Sequence, residues 1–234
     1  MPTVFLVRHG RSTANKEGVL AGRIAGVQLD DVGQAQAAQV GARSSGIALG
    51  AIVTSPLERT KQTAAAIVTA VGRTPRATVD RSFIECDYGS WSGQPLKKLS
   101  KQALWSTIQD RPSVVTFPDG ENMSAMAARA NSAVRAWDQR MLEDHDGKAW
   151  VAVTHGDIIK AIVADALGLH LDGFQRINVD PGSISVVTFH AGRPFVVAVN
   201  TIDGDLSRYA PTPGQSKKRT GTSSKPTVGG STGV

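Results

Sequence analysis

Two rhythms of apolar and polar residues alternate along this chain, and the switches between them lay out its elements. Thr3-Val4-Phe5-Leu6-Val7 is an apolar, β-rich run that stops at the polar pair Arg8-His9, the mark of a buried strand. A loop through Gly22 and Gly26 follows, and Asp30 can cap a helix predicted to reach about Ser44. Ala51-Ile52-Val53 is a second buried strand. It runs into Ser55-Pro56-Leu57-Glu58, which reads as a helix start with a serine cap, proline in the first turn and Glu three residues after the cap. That helix is predicted to continue to about Val71. Residues 76–80 read as extended, and a weaker helix is predicted over 95–109. Met123, Met126, Ala130, Val134, Trp137 and Met141 recur at three- and four-residue steps, predicting a long amphipathic helix. Trp150-Val151-Ala152-Val153 is a third buried strand, followed by a helix from about Gly156 to Leu167 that Gly168 can terminate. Residues 184–189 and 195–199, joined around Ala191-Gly192-Arg193, read as a hairpin. Strands alternating with helices predict a three-layer α/β/α sandwich around a mostly parallel sheet.

From residue 210 onward the rhythm disappears. Ser, Thr, Gly and Pro fill 17 of the last 25 positions, so a catalytic domain is expected over 1–209 and a disordered tail over 210–234. This division also explains the charge. The net +6 looks like a nucleic-acid signal, but four of those charges come from Lys217, Lys218, Arg219 and Lys225, in a tail with no acid and no aromatic residue. No nucleic-acid partner is expected, and no apolar stretch is long enough to predict a membrane helix. The single cysteine, Cys86, excludes an intramolecular disulfide and reads as a small packing residue. With no recognisable signal peptide, a cytoplasmic location is the expectation.

Candidate chemistry collects just beyond the predicted strands, where an α/β sheet places its ligands. Arg8-His9-Gly10 follows the first, Thr54-Ser55 with Arg59 the second, and Thr154-His155-Gly156 the third. A phosphate monoester needs donors for three non-bridging oxygens, and arginine offers a fixed fork of them. A neutral imidazole is a nucleophile near pH 7 if its other nitrogen is held. Gly10 and Gly156 allow close backbone approach. Ser12 and Ser55 lack the Gly-x-Ser-x-Gly setting of a serine nucleophile, and neither nucleotide-binding glycine motif occurs. His145, His170 and His190 have no motif around them.

Arg8-His9-Gly10 with Ser12 and Asn15 resembles the signature of the histidine phosphatase superfamily, which includes the cofactor-dependent phosphoglycerate mutases. Ser55-Pro56-Leu57-Glu58-Arg59-Thr60 with Gln62-Thr63-Ala64 is similar to its second arginine motif. Glu85 through Tyr88-Gly89, Trp91 and Gly93 resembles its acid motif, and Thr154-His155-Gly156 its second histidine. The resemblance implies a phosphoglycerate mutase-like fold and a phosphohistidine formed on His9. Arg8, Arg59, His155 and Asn15 would hold phosphoryl oxygens, and Glu85 would act as general acid and then base. Ser12, Gly156, Arg11, Arg23 and Tyr88 would line the substrate site, with no metal and no cofactor required. Arg11, Ser92 and Asp157 depart from the family pattern. Arg11 and Arg23 are expected to extend the positive field outward, favouring a substrate with a second acidic group.

Tyr88 is mutase-like, whereas Phe117-Pro118-Asp119-Gly120-Glu121 with Arg129 resembles the phosphatase side, and 102–117 lacks the paired arginines of the mutases. The expected activity is therefore hydrolysis of a small anionic phosphate monoester. A mutase is the alternative within the class, and a non-catalytic phosphate-binding module the alternative outside it. A homodimer is left open.

Overall fold

In the computed structural model, which describes residues 1–72, 75–204, 206 and 209, the first apolar run forms β1 (Thr3–Arg8). The other two runs form β2 (Leu49–Thr54) and β4 (Ala149–Thr154), with a short β3 (Ala77–Val79) between them in the chain. The hairpin supplies β5 (Ile184–His190) and β6 (Arg193–Thr201). These strands make one six-stranded sheet in the order β3-β2-β4-β1-β5-β6. The first four in that order run parallel, and β5 and β6 join antiparallel at one side.

The inner parallel strands β1, β2 and β4 are almost wholly apolar because both faces of the sheet are covered there, whereas the edge strand β3 is exposed. Phe5, Val7, Ile52, Val151 and Val153 pack with Val40 of α2 (Asp31–Ser44) and with Ala64 and Ile67 of α3 (Glu58–Ala70). Their neighbours Val4, Leu6, Val53, Trp150 and Ala152 point the other way. There they meet α6 (Met123–Asp144) and α7 (Gly156–Ala166). The result is the three-layer sandwich. All six residues of the predicted α6 stripe are buried, and Asn122 caps that helix by accepting from the N–H groups of Ser124 and Ala125.

Some local expectations need correction. Residues 12–17 hold a short helix, α1 (Thr13–Glu17), that the apolar pattern does not announce because only Ala14 of it is buried. The helix predicted over 95–109 is two pieces, α4 (Leu96–Leu99) and α5 (Ala103–Asp110), each burying one residue of its own. Leu57, not Ser55, is the cap position of α3, and the Ser55 hydroxyl is used elsewhere. The tail over 210–234 lies outside the described residues.

One buried charge in α6 has no role in the fold's polar networks. Asp138 is 5% exposed and its Oδ1 has no hydrogen-bond partner among the described residues. Burial pushes its carboxyl up to about 7, opposed by the charge of the chain's amino terminus. A raised folded-state value stabilises the fold only below the unfolded value, and that stability is lost as pH climbs towards 7. Asp138→Asn is therefore expected to raise the melting temperature at pH 8 and change it little at pH 5. The gain at pH 8 should be about 1–2 kcal/mol after allowance for solvent screening, measured by thermal unfolding at the two pH values.

Three strand ends lie side by side. Arg8 at the end of β1 pairs with Thr154 at the end of β4, and Thr54 at the end of β2 pairs with Val153. The residues that follow each strand are thereby delivered to one edge of the sheet.

Candidate active site

His9 follows β1 and is 4% exposed. Its backbone N–H donates to Thr154 O at 3.1 Å, so β4 holds the turn. Its Nδ1 lies 2.7 Å from the carbonyl oxygen of Gly10. A carbonyl can only accept, so Nδ1 carries the proton and Nε2 the lone pair. Burial, Arg59 and Arg8 all hold His9 well below its ordinary value, which keeps the ring neutral. The turn is fixed from α2 and α3 as well. Thr63 Oγ1 accepts from the Gly10 N–H at 3.2 Å, and a Cβ on Gly10 would stand 2.2 Å from the Gly33 oxygen. Only glycine allows the first turn of α2 to come this close.

Arg59 enters from the first turn of α3 and is 2% exposed. Its Nε donates to His9 Nε2 at 3.2 Å, and its Nη2 serves Gly22 O at 2.8 Å and His155 Nδ1 at 3.3 Å. Arg8 donates from Nη1 to Val179 O at 2.5 Å. Nη1 of Arg59 and Nε of Arg8 are buried without a partner among the described residues. Unpaired buried donors are costly in a finished core and are expected where a ligand completes them.

His155 is fully buried, and its ring lies 5.2 Å from that of His9, centroid to centroid. Arg59 can only donate, so His155 Nδ1 accepts and Nε2–H donates to Ser55 Oγ at 2.8 Å. Ser55 thus orients the second histidine, a role its sequence context disguised as a helix cap. In this state the His155 N–H is spent on Ser55, and the ring meets a phosphoryl oxygen only as the imidazolium or the other tautomer.

Glu85 stands opposite, 8% exposed, with Oε2 3.8 Å from His155 Nδ1 and Oε1 accepting from the Cys86 N–H at 3.0 Å. Burial, and after it the charge of Asp157, pushes its carboxyl up to about 7 against the pull of Arg59 and Arg8. The loop that carries it is pinned from several sides. Thr154 Oγ1 donates to Phe83 O at 2.7 Å, and Arg129 Nη1 donates to Ser82 O at 2.7 Å and Ile84 O at 3.0 Å. Arg23 Nε reaches Glu85 O itself at 2.8 Å. Glu121 bridges the two arginines, 2.9 Å from Arg23 Nη2 and 3.0 Å from Arg129 Nη2. In the sequence Glu121 and Arg129 are only part of a motif; that they hold the segment carrying Glu85 is a tertiary fact.

The remaining predicted residues divide. Tyr88 is buried, and its hydroxyl donates to Asp157 Oδ2 at 2.8 Å. A Cβ on Gly156 would meet the Arg8 guanidinium at 3.5 Å, an ordinary contact, so this position borders the phosphate frame without demanding glycine. Ser12 and Asn15 form a capping box on α1: Ser12 Oγ accepts from the Asn15 N–H, and Asn15 Oδ1 accepts from the Ser12 N–H at 3.1 Å. Asn15 is itself exposed. The outward positive field expected of Arg11 and Arg23 is not there. Arg11 is paired with Asp30 at 2.7 Å, and Arg23 lies between Asp87 at 3.3 Å and Glu121. Asp30 matches the charge of Arg11, and Asp87 and Glu121 match that of Arg23, whose Nε is used on the Glu85 carbonyl. No cluster of three or more His, Cys, Asp or Glu side chains suited to a metal occurs among the described residues.

Fold and site together define a class, the α/β enzymes that transfer phosphoryl groups. The chain belongs to the histidine phosphatase superfamily (branch 1), whose family model matches residues 4–202. Members of that superfamily include both phosphatases and mutases. A protein of Citrobacter koseri named "Probable phosphoglycerate mutase GpmB" is 31% identical over 196 residues, covering 81% of this chain and 86% of that one. The fold matches a phosphoserine phosphatase from Entamoeba histolytica solved with 3-phosphoglyceric acid (TM-score 0.75, 20% identity, 86% of this chain and 98% of that one). It also matches a mycobacterial glucosyl-3-phosphoglycerate phosphatase solved with VO3 (TM-score 0.73, 21% identity, 85% and 98%). No helix among the described residues is long and apolar enough to cross a membrane.

Proposed function

We propose that the protein is a phosphomonoesterase working through a phosphohistidine. The observation that carries this reading is the pair of buried N–H groups on Arg8 and Arg59 that have no partner among the described residues, with Arg59 hydrogen-bonded to the Nε2 of His9. Two guanidinium groups facing a neutral imidazole and a protonated carboxyl leave a site short of negative charge, which a phosphate dianion supplies. His9 Nε2 forms a bond to phosphorus while the ester P–O bond breaks and the leaving oxygen takes the Glu85 proton. The resulting Glu85 carboxylate then takes a proton from water, whose oxygen attacks phosphorus, releasing orthophosphate and restoring His9. Charge on the arginines does the work a metal cation does elsewhere, so the reading calls on no metal and no cofactor.

A mutase is the second reading, and the name of the relative at 31% identity favours it. Hydrolysis is preferred because residues 102–117 contain a single arginine, Arg111, where a mutase would need a pair to hold a bisphosphate. The test is phosphate release across a panel of phosphorylated metabolites, run beside interconversion of 2- and 3-phosphoglycerate with 2,3-bisphosphoglycerate supplied. Release from at least one alkyl monoester without isomerisation is expected. Isomerisation outrunning hydrolysis would establish the mutase instead, and binding without either reaction would establish the non-catalytic module. The small phosphorylated substrate is the one partner this reading requires, and a cytoplasmic supply of it fits a chain with a single, buried cysteine.

A further inference from the structure

The motif Phe117-Pro118-Asp119-Gly120-Glu121 forms a turn that packs backbone to backbone on the segment following Glu85. The Glu121 N–H donates to Asp87 O at 2.8 Å, and the Ser90 N–H donates to Pro118 O at 3.0 Å. A Cβ on Gly89 would stand 2.0 Å from Pro118 O, and one on Gly120 would stand 2.4 Å from Asp87 O. Two glycines therefore allow the approach.

The Glu121 side chain extends this contact. Its Oε1 accepts from Arg129 Nε at 3.1 Å. Its Oε2 accepts from Arg129 Nη2 at 3.0 Å, Arg23 Nη2 at 2.9 Å and the Asp87 N–H at 3.3 Å. Each arginine also donates to main-chain carbonyls, Arg129 to those of Ser82 and Ile84 and Arg23 to that of Glu85. Asp87 is the other carboxylate on Arg23, but it lies at 3.3 Å and is 40% exposed, against 18% for Glu121, so solvent screens it more. Glu121 is the anchor of both arms. The arm through Arg23 reaches further, because the carbonyl of the preceding Gly22 accepts from Arg59 Nη2 at 2.8 Å. One dipeptide thus links the phosphate-facing arginine to the acid.

We infer that Glu121 is a positioning residue for proton transfer: by anchoring Arg23 and Arg129 it fixes where Glu85 stands relative to Arg59, and so relative to a phosphate held there. This rests on the phosphomonoesterase reading. Other groups hold the phosphate and attack it, so loss of the anchor displaces the proton donor and leaves binding in place. A misplacement of about 1 Å can cost about 100-fold in rate. Little of that loss should appear where the leaving oxygen needs no proton. Glu121→Gln keeps the length of the side chain. Its amide NH2 must face an arginine donor whichever way it is turned, because both carboxylate oxygens accept from Arg129.

The experiment is a double-mutant cycle of Glu121→Gln and Glu85→Gln. It is read as single-turnover transfer to His9 from nitrophenyl phosphate and from the alkyl monoester hydrolysed fastest in the metabolite panel. Glu121→Gln should slow transfer from the alkyl monoester by about 100-fold. Transfer from nitrophenyl phosphate should slow only a few-fold, with the half-saturating concentration of either substrate nearly unchanged. Added to Glu85→Gln, the same substitution should cost nothing further, because a residue that acts only through Glu85 has nothing left to place. Arg23→Met, which leaves the Arg129 arm on Glu121, should show the same selective loss in smaller measure, and it is the variant to measure if Glu121→Gln does not fold. Unchanged transfer, equal slowing of both substrates, or a loss that adds in full to that of Glu85→Gln overturns the inference and leaves the phosphomonoesterase reading intact. No phosphate release from any monoester by wild type, or release undiminished in His9→Ala, overturns that reading itself.

Discussion

His9→Ala should abolish turnover of every phosphate monoester, a loss on the order of 10,000-fold or more, because it removes the proposed nucleophile. His155 is the nearest rival. Both rings accept from Arg59, His9 at Nε2 and His155 at Nδ1, and each is held through its other nitrogen, His9 by the Gly10 carbonyl and His155 by Ser55, so the His9 variant is the measurement that decides between them. The intermediate itself is measurable. A phosphoramidate survives alkali and is lost in acid, the reverse of a phosphoserine ester, so alkaline quench of a reaction with labelled substrate should trap it in wild type. The label should be absent from His9→Ala. Label that persists in the variant, or that resists acid, would refute the mechanism. Burial and two arginines hold His9 well below its ordinary value, so the loss should be as large at pH 6 as at pH 8.

Glu85→Gln should slow transfer to His9 by about 100- to 10,000-fold when the leaving group is an alkoxide, and far less when it is nitrophenolate. Glutamine keeps the size of the side chain and removes the transferable proton. An alkoxide cannot leave without that proton, whereas nitrophenolate leaves unaided. The carboxyl is pushed up to about 7, so in wild type the donor form predominates below that pH and transfer should fall as pH rises beyond it. The variant should lack this limb. Single-turnover rates are the right measurement, because Glu85 also acts on water in the second step and steady-state rates mix the two. Equal slowing with both leaving groups would mean that Glu85 only orients the phosphate.

The sequence by itself determined the layers and the parallel strands, and it picked out the residues of the candidate site. Buried strands must be apolar on both faces and a half-buried helix must be apolar at three- and four-residue steps, so Val4 to Val7 and the Met123 to Met141 stripe were legible without coordinates. His9, Arg8, Arg59 and His155 were legible because each lies at or shortly after a strand end that such a sheet brings to one edge. What the tertiary structure decided is which charges remain available and which protons are held. Arg23 meets Glu121 from 98 residues away, and Ser55 meets His155 from 100 away. No local period encodes pairings of that kind, and without them Arg23 reads as a substrate arm and Ser55 as a helix cap. The protonation of Glu85 is hidden for a further reason. It is a sum of burial, two arginines and Asp157, each arriving from a different element, and the sign of such a sum is set only when the fold fixes every distance.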